Sequence, residues 1–253
     1  MPERFLHCPN LPQSRVSMVL LSPEYPAVFQ SVQKLGIQAI ATISSQNLPD
    51  PIRYHGDMLC CYLGDGFAVV PHGEEELARR LNYFDIQTIV TQAPLGKHYP
   101  EDAPCNILQI AEKVFWNPKS AAPEIQQQLA EKQHFAVAQG YTRCAAAVVD
   151  ANSLITADRG VSRTAQKAGI EVLEIQPGHI QLPGYEYGFI GGCCGLAAPD
   201  ELLFTGSLMS HPDGRRIQEF LQQRNITAIE LTDRPLLDIG GILPIREIAH
   251  DTR

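Results

Sequence analysis

The sequence predicts an α/β protein in which five pseudo-symmetric strand-strand-helix-strand units form a five-bladed propeller, all within a single domain, residues 1–253. One observation is a join between a helical segment and the apolar strand after it, which occurs five times, as LGIQAIAT, FDIQTIVT, KQHFAVAQ, AGIEVLEI and RNITAIEL. Successive joins are 49, 49, 35 and 56 residues apart, which suits one supersecondary unit with loops of variable length. The other observation is that the last apolar segment, Leu236–Ile245, supplies the inner strand that the first unit lacks. Closing the ring in this way leaves no exposed sheet edge.

Composition limits the partners that the chain can have. With 253 residues, 44% of them hydrophobic, it can bury a full core as one domain or two, and five similar units favour one. The net charge of −8 argues against binding to nucleic acid or a membrane surface through general electrostatics, and it suits a cationic ligand. No apolar run is long enough to span a bilayer. The oligomeric state stays open.

Cysteine usage indicates a reducing compartment. The seven cysteines are odd in number, and four of them form the vicinal pairs Cys60-Cys61 and Cys193-Cys194. The chain does not open with the charged and then apolar stretches of a secretory signal. We therefore expect a cytoplasmic protein with free thiols. No Cys-x-x-Cys or His-x-x-x-His phrase is present, so neither a metal nor another cofactor is predicted.

The N-terminal residues 1–14 are rich in proline and polar groups, and we expect an arm that lies on the surface. Unit one, residues 15–46, opens with the apolar segment Val16–Leu21, which is short and flanked by turn formers and so indicates a buried strand. A helix is predicted to start at Pro26, whose missing N–H costs nothing at that position, and to end at Gly36.

Units two and three each have a complete first strand. Unit two, residues 47–95, has two apolar runs joined by the hairpin signal Gly64-Asp65-Gly66, and then a predicted helix over Glu74–Tyr83. That helix starts with three glutamates, which complement the positive end of the helix dipole. Unit three, residues 96–139, has the runs CNILQIA and KVFWN before a predicted helix over Ala122–Lys132.

Units four and five complete the series. Unit four, residues 140–178, contains CAAAVVD, a turn, SLITA, a helix over Val161–Ala168 and the strand EVLEI. Unit five, residues 179–233, has a glycine-rich entry and a predicted helix over Pro212–Gln223. The closing strand, residues 236–245, follows it.

In a ring of five such units the short first strands lie innermost, so the residues at their starts face a common axis. These starts carry polar or thiol side chains: His55, Asp57, Asn106, Cys144, Cys193, Cys194 and Asp238. We expect them to converge on one central pocket. The acidic members favour a small cationic ligand of guanidinium or amine type.

The polar members of this set also have purely structural interpretations. His55 and Asp57 can act as an acid/base and cation-holding pair, or they can form a turn in which the aspartate bonds local backbone. Asp238 stands where a carboxylate could bind a cation. Asn106 can hydrogen-bond a substrate or cap a turn, and the sequence does not separate the two.

The cysteines divide in the same way. Cys144 follows Arg143, whose charge would favour a reactive thiolate if the side chains meet, but buried structural cysteines are commoner. Cys193 and Cys194 follow two glycines that let the backbone approach a ligand, and they can equally be small packing residues near a crowded axis. Neither has a cationic neighbour within several residues.

The five closed units, with the phrases RYHGDM, YPEDAPCN, GYTRCAAAVVD, YGFIGGCCG and LLDIGGILPI, resemble an uncharacterised branch of the pentein superfamily. This is the fold of the guanidine-modifying enzymes: arginine deiminases, dimethylarginine hydrolases and amidinotransferases. The resemblance implies a cysteine thiolate that attacks the guanidinium carbon, a histidine that moves protons and carboxylates that hold the cation. The last segment has Gly240-Gly241, with no cysteine, where the family's nucleophile is expected. Cys144 is the candidate nucleophile here, because Arg143 adjoins it and the vicinal pair has no cationic neighbour.

With these roles, the residues at the strand starts form two candidate sets: Cys144 and His55 as catalytic residues, and Asp57, Asn106, Cys193, Cys194 and Asp238 as substrate-binding residues. The expected reaction is hydrolysis or amidino transfer at a C–N bond through a covalent thioether intermediate. The alternative is a non-catalytic pentein that uses the fold as a binding surface, as the ribosome anti-association factor does.

Overall fold

The computed structural model describes residues 2–249. These residues contain five small sheets, one for each predicted unit. The strands are β1 (Glu3–Phe5), β2 (Val16–Leu21), β3 (Gln38–Ala41), β4 (Cys61–Gly64), β5 (Phe67–His72), β6 (Gln87–Pro94), β7 (Leu108–Ile110), β8 (Lys113–Trp116), β9 (Gln133–Ala136), β10 (Ala146–Asp150), β11 (Ser153–Thr156), β12 (Glu171–Glu174), β13 (Cys194–Ala198), β14 (Glu201–Phe204), β15 (Thr227–Glu230) and β16 (Leu243–Ile248). The helices are α1 (Pro26–Lys34), α2 (Gly56–Leu59), α3 (Glu75–Tyr83), α4 (Pro123–Gln128), α5 (Thr142–Ala145), α6 (Arg159–Lys167) and α7 (Gly214–Gln222).

Every sheet follows one pattern, which confirms the predicted unit. The first strand pairs antiparallel with the second, and a helix then leads to a third strand that runs parallel to the second. The helices carry one apolar face, and the residues on that face pack onto the sheets: α6 buries Val161 and Ala165, and α7 buries Ile217 and Phe220. α4 is shorter than predicted because N–H groups after its end bond to carbonyls three residues back, which tightens the chain.

The C-terminal strand completes the first sheet, as expected. β16 pairs antiparallel with β2, so that Leu243 lies opposite Leu20. The strand begins at Leu243 rather than Leu236, because Gly240 and Gly241 have φ angles of 77° and 79°, which an extended strand cannot contain. The preceding residues 236–242 instead form a loop that bonds to unit five, with the N–H of Asp238 donating to the carbonyl of Gln181 at 2.9 Å.

The segment expected to be a surface arm, residues 1–14, is partly built into the fold. β1 pairs antiparallel with β16, and the next residue, Leu6, is fully buried. The carbonyl of Leu6 accepts hydrogen bonds from the Tyr62 hydroxyl and from the N–H of Asp65. The edge of β16 that β2 leaves free needs a partner, and this explains why a polar, proline-rich segment is ordered there. Met1 lies outside the described residues.

The first strands of the five units form a ring around a common axis. The Tyr62 hydroxyl on β4 bonds to the carbonyl of Ile245 on β16, and the Gln109 side chain on β7 bonds to the carbonyl of Tyr62. β7 packs on β10, β10 on β13, and β13 on β16, which closes the circle. Four of the five first strands are entered through a single turn of helix or a pair of glycines: α2, α5, the 3₁₀ turn at 191–193 and Gly240-Gly241. These short entries bring the candidate site residues to the axis.

Candidate functional site

A cavity of about 290 Å³ opens at one end of the axis. It is lined by Ile52, His55, Met58, Tyr141, Cys144, Leu182, Tyr185, Glu186, Tyr187, Phe189 and Asp238. Units two, four and five and the closing segment all contribute to this lining. Its volume is near the lower end of the roughly 300–1,000 Å³ typical of small-molecule sites.

Cys144 is held at the cavity wall by the one-turn helix α5. The Asn106 side-chain oxygen accepts the N–H groups of Arg143 and Cys144, at 2.8 and 3.1 Å, and so caps this turn. The Asn106 amide also donates to the Cys144 sulfur at 3.0 Å. Asn106 is fully buried and does not line the cavity, so the structure places it behind the thiol rather than beside a ligand.

Asp57 is the direct partner of the thiol. The Cys144 Sγ donates to Asp57 Oδ2 at 2.8 Å, and both side chains are buried. Burial and the negative charges of Asp57 and Asp238 raise the pKa of the Cys144 thiol well above its usual range. The thiol is therefore protonated at neutral pH in the unliganded protein. Asp57 sits on the one-turn helix α2, and its other oxygen, Oδ1, has no hydrogen-bond partner within residues 2–249.

His55 and Asp238 form the second buried pair. His55 Nδ1 lies 3.7 Å from Asp238 Oδ1, and the two residues are each 1% exposed. Asp238 accepts the backbone N–H groups of Phe189 and Gly240, at 2.9 and 3.0 Å. Burial raises the pKa of Asp238, and the neighbouring His55 partly opposes that rise. The Nε2 atom of His55 is buried and has no hydrogen-bond partner among the described residues.

The glycine pair before Cys193 has a steric role at this site. A Cβ atom on Gly192 would lie 1.9 Å from Asp238 Oδ1, and one on Gly191 would lie 2.3 Å from the carbonyl oxygen of Arg143. Only glycine permits the backbone of unit five to approach Asp238 and α5 so closely.

Cys193 and Cys194 themselves lie in the hydrophobic core, and neither lines the cavity. The Cys193 thiol donates to the carbonyl of Ile190 at 3.1 Å. Burial raises the pKa of both thiols, that of Cys194 to about 12. The structure therefore brings His55, Asp57, Asn106, Cys144 and Asp238 together and leaves the vicinal pair outside the group.

The Arg143 side chain does not meet the Cys144 thiol, so the condition under which its charge would favour a thiolate is not fulfilled. Its Nε donates to Asn10 Oδ1 at 3.0 Å and its Nη1 to the carbonyl of Gly191 at 3.1 Å. Successive side chains on a helical turn point about 100° apart, so Arg143 faces away from Cys144. It lines a separate small cavity of about 30 Å³ on the other side of α5. Its charge partly offsets the effect of burial on Cys194 instead.

Sequence reasoning missed the aromatic wall of the cavity. Tyr185, Glu186 and Tyr187 lie between Gly184 and Gly188, and Phe189 and Tyr141 complete the wall. The Tyr141 ring centroid is 6.2 Å from that of Phe189, and the Tyr187 centroid is 6.5 Å from it. The alternation of aromatic and acidic residues between two glycines was a visible signal, because exposed rings beside a carboxylate are typical of cation sites.

A further carboxylate stands behind this wall. The Tyr141 hydroxyl donates to Asp102 Oδ2 at 2.7 Å, and Asp102 is buried. Burial raises the pKa of Asp102, while the bond from Tyr141 lowers it. Within residues 2–249, no three His, Cys, Asp or Glu side chains are grouped so that they could hold a metal ion. No helix in the same range is both long and apolar enough to cross a bilayer.

The histidine His134 of unit three does not reach the site. His134 is exposed on β9, the outer strand of its sheet, where its ring lies 4.7 Å from that of Trp116. The Nε2 atom of His134 bonds to the carbonyl of Leu129 at 2.7 Å. The histidine at the axis is His55.

Solved structures with the same fold are guanidine-modifying enzymes. The inosamine-phosphate amidinotransferase of Streptomyces griseus superposes with a TM-score of 0.61 at 8% identity, over 98% of each chain. A mutant of the dimethylarginine dimethylaminohydrolase (DDAH) of Pseudomonas aeruginosa, complexed with citrulline, has a TM-score of 0.57 at 10% identity over 90% of this chain and 96% of its own. The agmatine deiminase of C. jejuni has a TM-score of 0.57 at 9% identity over 97% of each chain. At these identities the likeness shows the fold alone.

The sequence itself matches one family model. Residues 21–243 match the family of unknown function DUF6873, which is most of the chain. No curated protein matches. The five strand-strand-helix-strand units closed by the C-terminal strand form the pentein fold, and by its sequence the chain belongs to the family DUF6873.

Proposed function

We propose that the axial cavity binds a small organic cation of guanidinium or amine type, and that Cys144 and His55 act on a C–N bond of that cation. The observation that carries the proposal is the combination of aromatic rings and carboxylates around a buried thiol. Three tyrosines and a phenylalanine line the cavity together with Asp238 and Glu186. No lysine or arginine of the described residues lines it.

Such a lining favours cations over neutral or anionic ligands. The face of an aromatic ring carries partial negative charge and attracts a cation, most strongly where water is excluded. Buried carboxylates add charge-assisted hydrogen bonds, for which the planar guanidinium group has well-placed donors. The negative net charge of the whole chain attracts cations in the same sense.

The thiol would act only with a cation bound. In the unliganded protein, burial and the carboxylates Asp57 and Asp238 keep Cys144 protonated. A guanidinium ion among these carboxylates offsets their charge and so lowers the thiol pKa. Asp57 Oδ2, 2.8 Å from the sulfur, then accepts the thiol proton.

The chemistry that follows is substitution at the guanidinium carbon. The Cys144 sulfur forms a C–S bond to this carbon, and a C–N bond breaks as His55 gives a proton to the departing ammonia or amine. Water then attacks the amidino thioether and releases a ureido product with the free thiol. An acceptor amine in place of water would give a new guanidine, which is amidino transfer. Asp238 holds the substrate cation and the His55 ring throughout.

The solved structures with this fold support the same ligand class. They are, by their own descriptions, a dimethylarginine hydrolase with bound citrulline, an agmatine deiminase and an amidinotransferase. Each of these proteins acts on a guanidine or an amidino group. Cys193 and Cys194 have no part in the proposal, because they pack in the core.

A binding module without turnover is the second candidate, and one observation favours it. Cys144 is only 4% exposed and its pKa is raised, so the unliganded protein holds no reactive thiolate. In that case the cavity would bind the same cation without breaking a bond.

The binding part is tested with the matched pair methylguanidine and methylurea, which differ mainly in charge. By calorimetry, methylguanidine should bind at least about tenfold more tightly than methylurea. Asp238→Asn should weaken methylguanidine binding by about tenfold, because a charge-assisted hydrogen bond is lost. Glu219→Gln, a change of the same charge on the exposed face of α7, is the control. Equal binding of the two compounds would contradict a cation site.

The catalytic part is tested by alkylation with iodoacetamide across pH, with peptide mapping and with methylguanidine present or absent. Methylguanidine should move alkylation of Cys144 to lower pH, because its positive charge offsets the carboxylates that raise the thiol pKa. Asp57→Asn should do the same without ligand, because it removes one of those carboxylates. If Cys193 or Cys194 reacts first below neutral pH while Cys144 stays inert, the nucleophile is misassigned. If all three stay inert with and without ligand, the binding module replaces the enzyme.

A further inference from the structure

The charged groups around the cavity are almost all of one sign. Asp238 lies at the inner end beside His55, and Asp57 lies just behind the thiol. Glu186 is exposed at the outer end, and Asp102 stands behind the Tyr141 ring. A ligand in this cavity therefore meets a carboxylate at the outer end, Glu186, as well as one at the reacting end, Asp238.

A carboxylate on the ligand would find no partner here. Among residues 2–249, the lining includes neither lysine nor arginine. Arg143, the basic residue directly before Cys144 in sequence, is bonded to Asn10 and Gly191 and lines the other, smaller cavity. The backbone N–H groups of Phe189 and Gly240 already donate to Asp238. An anionic group would thus lose water and face carboxylates, which costs free energy twice.

A second positive charge on the ligand, in contrast, would meet a carboxylate at the outer end of the cavity. Glu186 has no ion-pair partner within the described part of the chain. It stands between Tyr185 and Tyr187, which are 47% and 39% exposed. A carboxylate between two accessible tyrosine rings is suited to an ammonium group, through ion pairing and cation–π attraction together.

Within residues 2–249, the inner end of the cavity has an unpaired polar atom. His55 is 1% exposed and lines the cavity, and its Nε2 has no hydrogen-bond partner among the described residues. A buried ring nitrogen without a partner is costly, and a polar ligand group beside it would relieve that cost. The two ends of the cavity therefore each lack a partner, and the aromatic wall lies between them.

We propose that the ligand is a dication without a carboxylate: a guanidinoalkylamine whose guanidinium group lies at Asp238 and His55 and whose amine lies at Glu186. This inference rests on the proposed function, because it assumes that a cation binds in this cavity. It excludes free amino acids such as arginine as the preferred ligand. Glu186 is then the residue that determines specificity at the outer end.

The test compares four guanidines that differ only away from the guanidinium group. Agmatine carries an amine, argininamide an amine and a neutral amide, arginine an amine and a carboxylate, and 4-guanidinobutyrate a carboxylate alone. By calorimetry at one ionic strength, agmatine and argininamide should each bind at least about tenfold more tightly than arginine. Binding of 4-guanidinobutyrate should be the weakest of the four.

Two variants test the role of Glu186. Glu186→Gln should weaken agmatine binding by about threefold, the size expected of a partly solvated ion pair, and should leave 4-guanidinobutyrate unchanged or improved. Glu186→Lys should lower the ratio of agmatine affinity to arginine affinity further, because the new ammonium group can pair with the carboxylate of arginine. Glu219→Gln on α7 should leave all four affinities unchanged.

The outcomes separate this inference from the proposed function. If none of the four guanidines binds, both fail. If arginine binds as tightly as agmatine, the cation site stands and the selection against a carboxylate is wrong. If agmatine is preferred but Glu186→Gln and Glu186→Lys leave the preference unchanged, the assignment of the amine to Glu186 is overturned.

Discussion

Single residues decide how closely the units meet at the axis, and Gly192 is the sharpest case. A Cβ atom at this position would overlap the carboxylate of Asp238, which in turn holds His55 and two backbone N–H groups. The backbone of unit five cannot retreat without breaking its bond from the N–H of Ile239 to the carbonyl of Gly192. Gly192 thereby fixes the positions of Asp238 and His55 in the cavity.

Gly192→Ala should therefore lower the free energy of unfolding by about 3 kcal/mol, the upper range for an overpacked buried site. The matched control is Gly169→Ala, where φ is 77° but nothing lies within 4 Å of an added Cβ. That variant should lose only about 1 kcal/mol, from backbone strain. Urea unfolding measures both. Equal losses would mean that Asp238 moves aside without cost.

The approach of the candidate residues to one axis was predictable from the sequence, but their mutual contacts were not. The order of units placed His55, Asp57, Cys144 and Asp238 near one axis. Which face of α5 carries the thiol depends on a turn that the sequence does not mark, and so the sequence could not decide whether Arg143 meets Cys144. The aromatic wall was missed because it comes from a loop, where no strand or helix period indicates direction.

At the scale of elements, the segment between β6 and β7 carries a buried charge whose stability cost depends on pH. Burial raises the pKa of Asp102 within this segment, so the folded protein favours its protonated form. The corresponding contribution to stability is present at low pH and is lost as pH rises through the folded pKa. The N-terminus of α7 shows the opposite case. Burial raises the pKa of Asp213, but bonds from the Gln176 N–H and from Arg216 outweigh it and lower the pKa overall.

Asp102→Asn should gain stability relative to the unmodified protein as pH rises from about 4 to 7, because the variant has no charge to bury there. Asp213→Asn should lose stability relative to the unmodified protein as pH rises through the acidic range to about 4, since it removes a carboxylate whose pKa the fold lowers. Urea unfolding at several pH values gives both slopes. The two variants control for each other, and slopes of the same sign would contradict the pKa directions.

The strand and helix pattern was the most predictable level of the structure. Short apolar runs with turn signals located the inner strands, and periodic segments located α3, α6 and α7 to within two residues. The last strand was predicted to begin at Leu236 because Gly240 and Gly241 lie within an apolar run. Their left-handed φ values exclude an extended strand there, so β16 begins at Leu243. The arm at 1–14 was misjudged because pairing of β1 with β16 depends on an edge created 240 residues later.

For the whole molecule, closure of the ring should govern cooperativity. Truncation after Arg234 removes the loop that carries Asp238 and the strand β16, and so opens β2 and the axis together. The shortened protein should lose its cooperative urea transition, measured by circular dichroism. Truncation after Ala249 keeps every described residue and is the control. A chain ending at Arg234 that unfolds as cooperatively as the control would refute ring closure.

The pairing of β16 with β2 also sets the order of events during synthesis. β2 leaves the ribosome long before its antiparallel partner, β16. Until then the nascent chain has four complete blades at most, an unpaired strand edge and no Asp238 in the cavity. Such long-range pairing slows folding and leaves the edge open to other chains. The cavity therefore forms only after residues 236–248 have emerged, and until then the edge of β2 needs protection.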